Sequence, residues 1–307
     1  MDWLEVSVIT DGEGAEAVAE ALRPFAYKEG VVLEQLGDPN NLDPEALEPH
    51  VTVKIYLPET EDTPEMRRRL EELLYYYGRL YPLPPPIFRK LREEDWANAW
   101  KAHYHPFRIG QRLWIQPSWE ELPPAGAADD GLQADDVVVT LDPGMAFGTG
   151  LHPTTQMCLQ ALEGLTTPGV SVLDVGTGSG ILAIAAAKLG ATRLVGVDTD
   201  EIAVRAAAEN VAQNGVTAVT TIRQGTLADV NERPWDLVVV NILAPVIVTL
   251  LEEHDLLGYV AESGYLILSG IIDQQMGEVE TAVARAGGAI YQTRQIRDWV
   301  SYVIRRP

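Results

Sequence analysis

The sequence predicts an α/β protein in two parts: a small α+β domain, then a larger domain built on a seven-stranded, mostly parallel sheet covered by helices. Three observations carry this. Residues 1–92 alternate as βαββαβ. Residues 137–307 carry near-continuous apolar runs of strand length separated by helix-length segments, the pattern of strands buried on both faces. A glycine triplet, Gly176-x-Gly178-x-Gly180, joins one such run to a helix.

In the first part, Leu4 to Ile9 reads as a strand, and Gly14 to Phe25 as a helix with alanines and leucines at helical spacing. Val31 to Leu36 and Val51 to Tyr56 follow as strands. In the latter, Val51, Val53 and Ile55 share one face and Thr52, Lys54 and Tyr56 the other, as a half-buried strand requires. Thr63 is a good N-cap and Pro64 suits a first helical position, so a helix starts there and runs to about Tyr77. Gly78 and the Pro-rich Tyr81 to Pro86 end it, and Ile87 to Leu91 is the last strand. The βαββαβ order is that of a ferredoxin-like domain over residues 1–92.

Residues 93–136 read as a connecting segment. Glu93-Glu94-Asp95 precedes a short helix that places Trp96 and Trp100 on one face, with the acidic residues suited to its amino terminus. Ile109 to Gln116 is strand-like. Glu120 to Asp136, acidic and rich in Pro, Ala and Gly, reads as an exposed loop.

In the larger domain, residues 137–307, the strands are Ser171 to Val175, Arg193 to Val197, Val219 to Arg223, Trp235 to Val240, Tyr265 to Leu268, Ala289 to Thr293 and Val300 to Ile304. Ile181 to Leu189 is apolar all round and therefore a buried helix. Gln274 to Ala286 is a second helix.

Composition narrows the function classes. The chain has 307 residues and a formal net charge of −22, so capture of nucleic-acid phosphates by clustered Lys and Arg is not expected. A basic partner would be attracted. The single cysteine, Cys158, excludes an intrachain disulfide and reads as buried packing; with five histidines it offers no zinc spacing, and His103-x-His105 is too little for a metal site. No apolar run reaches membrane-spanning length, and the acidic start Met1-Asp2-Trp3-Leu4-Glu5 is unlike a signal peptide. A cytoplasmic protein is expected.

The chemistry starts at the glycines. They lie at the carboxyl end of a buried strand, where open α/β sheets bind ligands. Without Cβ atoms the backbone can approach a ligand, and helix N-terminal amides favour a carboxylate. The dinucleotide pattern G-x-G-x-x-G would need glycine at position 181, which is Ile181. Asp198, ending the next strand, can accept hydrogen bonds from both hydroxyls of a ribose. Nicotinamide enzymes place an acid similarly, so Gly176, Gly178 and Asp198 alone leave an oxidoreductase open.

A longer pattern is more specific. Asp142-Pro-Gly-Met-Ala-Phe-Gly-Thr-Gly-Leu-His-Pro-Thr-Thr155, then Gly176-Thr-Gly-Ser-Gly180, then Asn241-Ile-Leu-Ala244 together resemble the methyltransferases of the bacterial large-subunit ribosomal protein L-eleven (L11). The resemblance extends to the two-domain layout and the Asp95-Trp96-Ala97 start of the linker. It implies a seven-stranded Rossmann-like class I methyltransferase domain, S-adenosylmethionine as cofactor, and lysine ε-amino groups of that ribosomal protein as acceptors, with its N-terminal α-amine as a further one. It further implies cofactor contacts from Thr155, Gly176, Asp198 and Asn241, with Phe147 and His152 as loop and lid residues and residues 1–92 recognising the substrate. Asn241 also stands where amine methyltransferases hold the nucleophile. There an Asn or Asp is followed by two prolines and an aromatic, whereas here Ile242-Leu243-Ala244 follow, and Pro245 falls in the first turn of the next helix. No general base and no metal are expected. The alternatives are a methyltransferase for another protein, RNA or a small molecule, a cofactor-binding sensor without turnover, and a nicotinamide-dependent oxidoreductase.

Overall fold

The computed structural model describes residues 2–27, 31–37, 47–78, 83–91, 104–122, 131–142 and 148–307. The expected Trp96 and Trp100 helix, His103, Phe147 and residues 123–130 of the acidic loop lie outside the described residues. The chain divides into two compact units, Met1–Tyr104 and His105–Pro307.

The first unit runs β1 (Trp3–Asp11), α1 (Gly12–Leu22), β2 (Val31–Gly37), β3 (Leu47–Pro58), α2 (Pro64–Gly78) and β4 (Ile87–Leu91). Its strands form an antiparallel sheet in the order β2-β3-β1-β4, the ferredoxin-like arrangement expected. The alternation seen in the sequence is what buries it: Leu4, Val6 and Val8 of β1 and Val51, Val53 and Ile55 of β3 pack against Val18 and Leu22 of α1 and Leu70 and Leu74 of α2. Thr63 caps α2 as expected, its hydroxyl oxygen accepting from the Met66 N–H at 3.1 Å. α1 stops at Leu22, three residues before its expected end, because Pro24 lacks the N–H that an α-helical turn needs; Arg23–Phe25 form a 3-10 turn instead.

The second unit opens with three short strands, β5 (Phe107–Ile109), β6 (Leu113–Gln116) and β7 (Val137–Thr140), in the order β5-β6-β7. Ile109 to Gln116 is therefore not one strand. Gly110, at φ +67°, turns the chain back, and β5 pairs antiparallel with β6. The acidic stretch also needs correction at its end. The side chain of Asp136 is 1% exposed, and it accepts two bonds from the Arg108 guanidinium (2.6 and 2.8 Å) and one from the Trp114 indole (3.0 Å). Arg108 beside it holds its carboxyl below the usual carboxylate range, against the opposing effect of burial.

The seven expected strands follow as β8 (Ser171–Val175), β9 (Arg193–Asp198), β10 (Thr220–Gln224), β11 (Trp235–Asn241), β12 (Val260–Ile272), β13 (Ala289–Ile296) and β14 (Trp299–Arg305). They form one sheet, ordered β10-β9-β8-β11-β12-β14-β13, in which β14 alone runs antiparallel to its neighbours β12 and β13. The helices are α3 (Pro153–Leu165), α4 (Ile181–Lys188), α5 (Glu201–Gln213), α6 (Ala244–Glu253) and α7 (Met276–Arg285). Every residue of β8 is buried, and so are Ile181 to Ala186 of α4, which explains the all-apolar stretches. Strand order reverses direction between β8 and β11, so a crevice opens beyond their carboxyl ends, the general ligand position in such sheets. β12 is much longer than Tyr265 to Leu268. It carries a register shift against β14 between Leu268 and Ile271, where Gly270 sits at φ +88°.

Candidate active site

The crevice is a cavity of about 570 Å3. It is built from the chain segments that leave β8, β9, β10 and β11. Gly176, Gly178 and Gly180 all have positive φ, at +76°, +54° and +81°, a conformation that side chains resist. Close approach adds a second requirement at Gly176, where a Cβ would lie 2.5 Å from Ile242 Cγ2. The Gly176 and Thr177 N–H groups donate to the Val197 carbonyl at 2.9 and 3.0 Å, which ties the loop to β9.

Asp198 ends β9 and completes this tie. Its Oδ2 accepts from the Gly178 N–H at 2.9 Å and its Oδ1 from the Asp200 N–H at 3.0 Å, and it lines the cavity. Capping of α5 falls to Asp200, which accepts from the Ile202 N–H at 2.9 Å. Beneath the loop, Asp174 is 1% exposed and accepts from the Thr177 hydroxyl at 2.7 Å. Burial pushes its carboxyl up to about 6, the Thr177 bond working against the shift and the charge of Asp198 adding to it.

Asn241 ends β11 on the other wall. Its Nδ2 donates to the Thr155 hydroxyl oxygen at 3.5 Å. Thr155 is buried behind it, and the neighbour Thr154 is the residue of the α3 start that lines the cavity. His152 caps α3, its Nδ1 2.7 Å from the Thr154 hydroxyl, and meets the Trp299 ring edge-to-face at 4.7 Å between centroids. Half-burial holds the His152 pKa below the usual histidine value, so the ring is neutral at pH 7. At the mouth stand Leu243, 69% exposed, and Val246, 46% exposed.

The structure thus brings Gly176, Gly178, Asp198, Asn241 and His152 to one cavity and sets Thr155 behind Asn241. Cys158 of α3, completely buried, has its thiol pushed up to about 12 by burial, against a hydrogen bond with Ser269 of β12. Among the described residues no group of three or more His, Cys, Asp or Glu could hold a metal ion, and no helix is long and apolar enough to cross a membrane.

A family model described as ribosomal protein L11 methyltransferase (PrmA) matches residues 2–307. The chain belongs to this family. A ribosomal protein L11 methyltransferase of Chloroflexus aurantiacus is 42% identical over 332 residues, covering 99% of this chain and 98% of the relative. One from Pelotomaculum thermopropionicum is 41% identical, with 99% of each chain covered. Among solved structures, a ribosomal protein L11 methylase of Lactobacillus delbrueckii subsp. bulgaricus matches at 36% identity with a TM-score of 0.59, covering 66% of this chain and the whole of that one. The L11 methyltransferase family accordingly shares the fold expected from the glycine loop and the strand pattern.

Sequence reasoning did not single out Trp299, Thr226 and Gly270, which line the cavity, nor Asp174, which lies beneath the glycine loop without lining it. Asp174 carried a signal, since an acid inside an otherwise apolar buried strand has to be explained. Thr226 follows the carboxyl end of β10, where the topology places ligand-facing loops. Gly270 reaches the cavity because β12 pairs with β11 beside Asn241, and Trp299 because β14 pairs back onto β12.

Proposed function

We propose that this member of the L11 methyltransferase family transfers methyl groups from S-adenosylmethionine to lysine ε-amino groups of ribosomal protein L11, and to its N-terminal α-amine. The observation that carries the proposal is the convergence of Gly176, Gly178, Asp198 and Asn241 on one cavity at the reversal of strand order. Residues 1–92 would recognise the protein substrate, residues 93–136 connect, and residues 137–307 hold the reaction. The net charge of −22 favours a basic partner such as a ribosomal protein, and exposed Tyr75 and Tyr76 on α2 offer the first unit aromatic contact surface. A cytoplasmic location follows from such a substrate.

The residues fit the cofactor. A Cβ at Gly176 would press into Ile242, so the glycine keeps clear the floor on which a ligand lies. A carboxylate has about four acceptor sites; Asp198 uses two on Gly178 and Asp200, which leaves two for the hydroxyls of a ribose. The amides at the start of α4 would favour the methionine carboxylate, and Val197 and Leu227 would flank the base. When bound, S-adenosylmethionine supplies an electrophilic methyl group on a sulfonium.

The chain's own part is to present a neutral amine in line with that group, about 3 to 3.5 Å away. A lysine with the reference pKa of about 10.4 needs roughly 4.6 kcal/mol to be neutral at pH 7. Ile242, Leu243, Val246 and Trp299 make the cavity wall largely apolar, and desolvation there lowers an ammonium pKa. With its Nδ2 turned to Thr155, Asn241 keeps its carbonyl oxygen to accept from the amine and fix its direction. The departing proton goes to solvent.

The test is incubation of the full chain with methyl-labelled cofactor and, in separate reactions, individual large-subunit ribosomal proteins and ribosomal RNA. Label on L11 lysines is expected. Label confined to other proteins or to RNA would remove the substrate assignment, and calorimetry showing tighter binding of NADH than of S-adenosylmethionine would remove the cofactor assignment.

A further inference from the structure

The second unit holds another cavity, of about 350 Å3, that shares no lining residue with the first. It is formed by the turn from Gly110 to Arg112, by Gln160 and Glu163 on the carboxyl-terminal half of α3, and by Arg294 of β13. The site is organised by hydrogen bonds. Glu163 accepts from the Gln111 N–H at 2.9 Å and the Arg112 N–H at 2.6 Å, which fastens the turn to the helix. Gln160 Oε1 accepts from Arg294 Nη1 at 3.0 Å and so fixes that guanidinium on the cavity wall.

Two features of this cavity are unexplained by the fold. Arg294 Nε is buried without a hydrogen-bond partner, which costs desolvation unless something in the cavity accepts from it. In addition, neither Arg112 nor Arg294 has a carboxylate ion-pair partner among the described residues, although the chain has 45 acidic and only 23 Lys and Arg residues. Two arginines line this one cavity, and Arg294 keeps a buried donor for which the fold supplies no acceptor, which points to an anion that comes from outside. Guanidinium donors match the oxygens of a phosphate in paired, charge-assisted bonds. The volume lies at the small end of ligand pockets, which run from roughly 300 to 1,000 Å3.

We propose that this cavity binds a phosphate group between Arg112 and Arg294, either as free phosphate or as a small phosphate monoester. Glu163 has acceptor sites left after its two backbone bonds, so the hydroxyls of a monoester would be held there. Its charge also weakens a bare anion, which gives the site a testable sign.

The experiment is calorimetric titration of the full chain, at constant ionic strength, with inorganic phosphate and with ribose 5-phosphate. Saturable binding of at least one is expected, weakened tenfold or more in Arg112→Gln and Arg294→Gln. Glu163→Gln should strengthen inorganic phosphate several-fold, which a purely structural role for Glu163 would not produce. Arg112 is part-exposed on a turn, so its variant tests the site whatever Arg294→Gln does to folding. Ribose 5-phosphate binding tighter than phosphate identifies a monoester site; equal affinities identify a free-phosphate site. Absence of saturable binding by both probes, or binding unchanged in Arg112→Gln, overturns the proposal.

Discussion

Replacing Asp174 with Asn should stabilise the protein at neutral pH. Its buried carboxyl is pushed up to about 6 from an ordinary value of 3.8. That is about two pH units, and at 1.36 kcal/mol per unit the folded state gives up about 3 kcal/mol by ionising Asp174 at pH 7.5. The folded pKa lies above the unfolded one, so the contribution to stability is complete below about pH 4 and is lost as pH rises through about 6. Asn is nearly isosteric, can still accept from Thr177 and does not ionise, so it avoids this loss. The stability difference between Asp174→Asn and the parent should be near zero below pH 4, about half its full size at pH 5 and about 3 kcal/mol at pH 7.5. For a unit of about 200 residues this is roughly 6 to 12 °C in Tm. Scanning calorimetry of both proteins across that pH range, without ligand, makes the comparison. A variant equally or less stable than the parent at pH 7.5 would show that the carboxyl is not held unfavourably.

Three further outcomes follow from the same structure. Asp198→Ala removes the acceptor of Gly178 and of the proposed ribose hydroxyls, and should weaken S-adenosylmethionine by about 2 kcal/mol or more, roughly 30-fold; unchanged affinity in titration calorimetry would place the ribose elsewhere. Gly270→Ala puts a Cβ 2.1 Å from the Ile242 carbonyl oxygen at φ +88°, whereas Gly215→Ala, at φ +70°, meets nothing within 4 Å. Denaturant unfolding should therefore show a loss of about 1 kcal/mol at Gly215 and clearly more at Gly270, and equal losses would contradict the close approach. Arg108→Ala leaves the Asp136 carboxylate with only its bonds from the Gln133 N–H and the Trp114 indole and should cost about 1 to 3 kcal/mol. Because Arg108 holds the Asp136 carboxyl below its ordinary range, this pair's contribution is present at neutral pH and fades as pH falls toward the folded pKa. A surface-sized loss of under about 1 kcal/mol in thermal unfolding would show the pair to be solvated.

What the sequence revealed depended on the range of the interaction. Period-two alternation at Val51, Val53 and Ile55 and the all-apolar Ile181 to Ala187 are local consequences of burial, so strands and helices could be read directly. The glycine loop and Asp198 were legible for a similar reason, since they belong to one strand-turn-helix unit and its neighbour. The hairpin at Gly110 was not, because Gly110-Gln111-Arg112 between two short apolar runs fits a bulge within one strand as well as a turn between two. Asp136 read as loop surface because its partner Arg108 lies 28 residues away. At the start of α3, adjacent Thr154 and Thr155 differ only in which way the first helical turn faces them. That phase is set by packing against β12 and β14, and β14 also delivers Trp299 to the cavity.

The proposed transfer of methyl groups to amines of L11 takes place in the cavity between Gly176 and Asn241. Its most direct test is single-turnover transfer from labelled S-adenosylmethionine to purified L11 by the parent chain and by Asn241→Ala, with the modified residues located by mass spectrometry. The parent should label lysine side chains, and the variant should lose transfer while L11 still binds. Full transfer by Asn241→Ala would remove Asn241 from the reaction, and the absence of transfer by a parent chain that binds both partners would remove methyl transfer to L11 from this cavity.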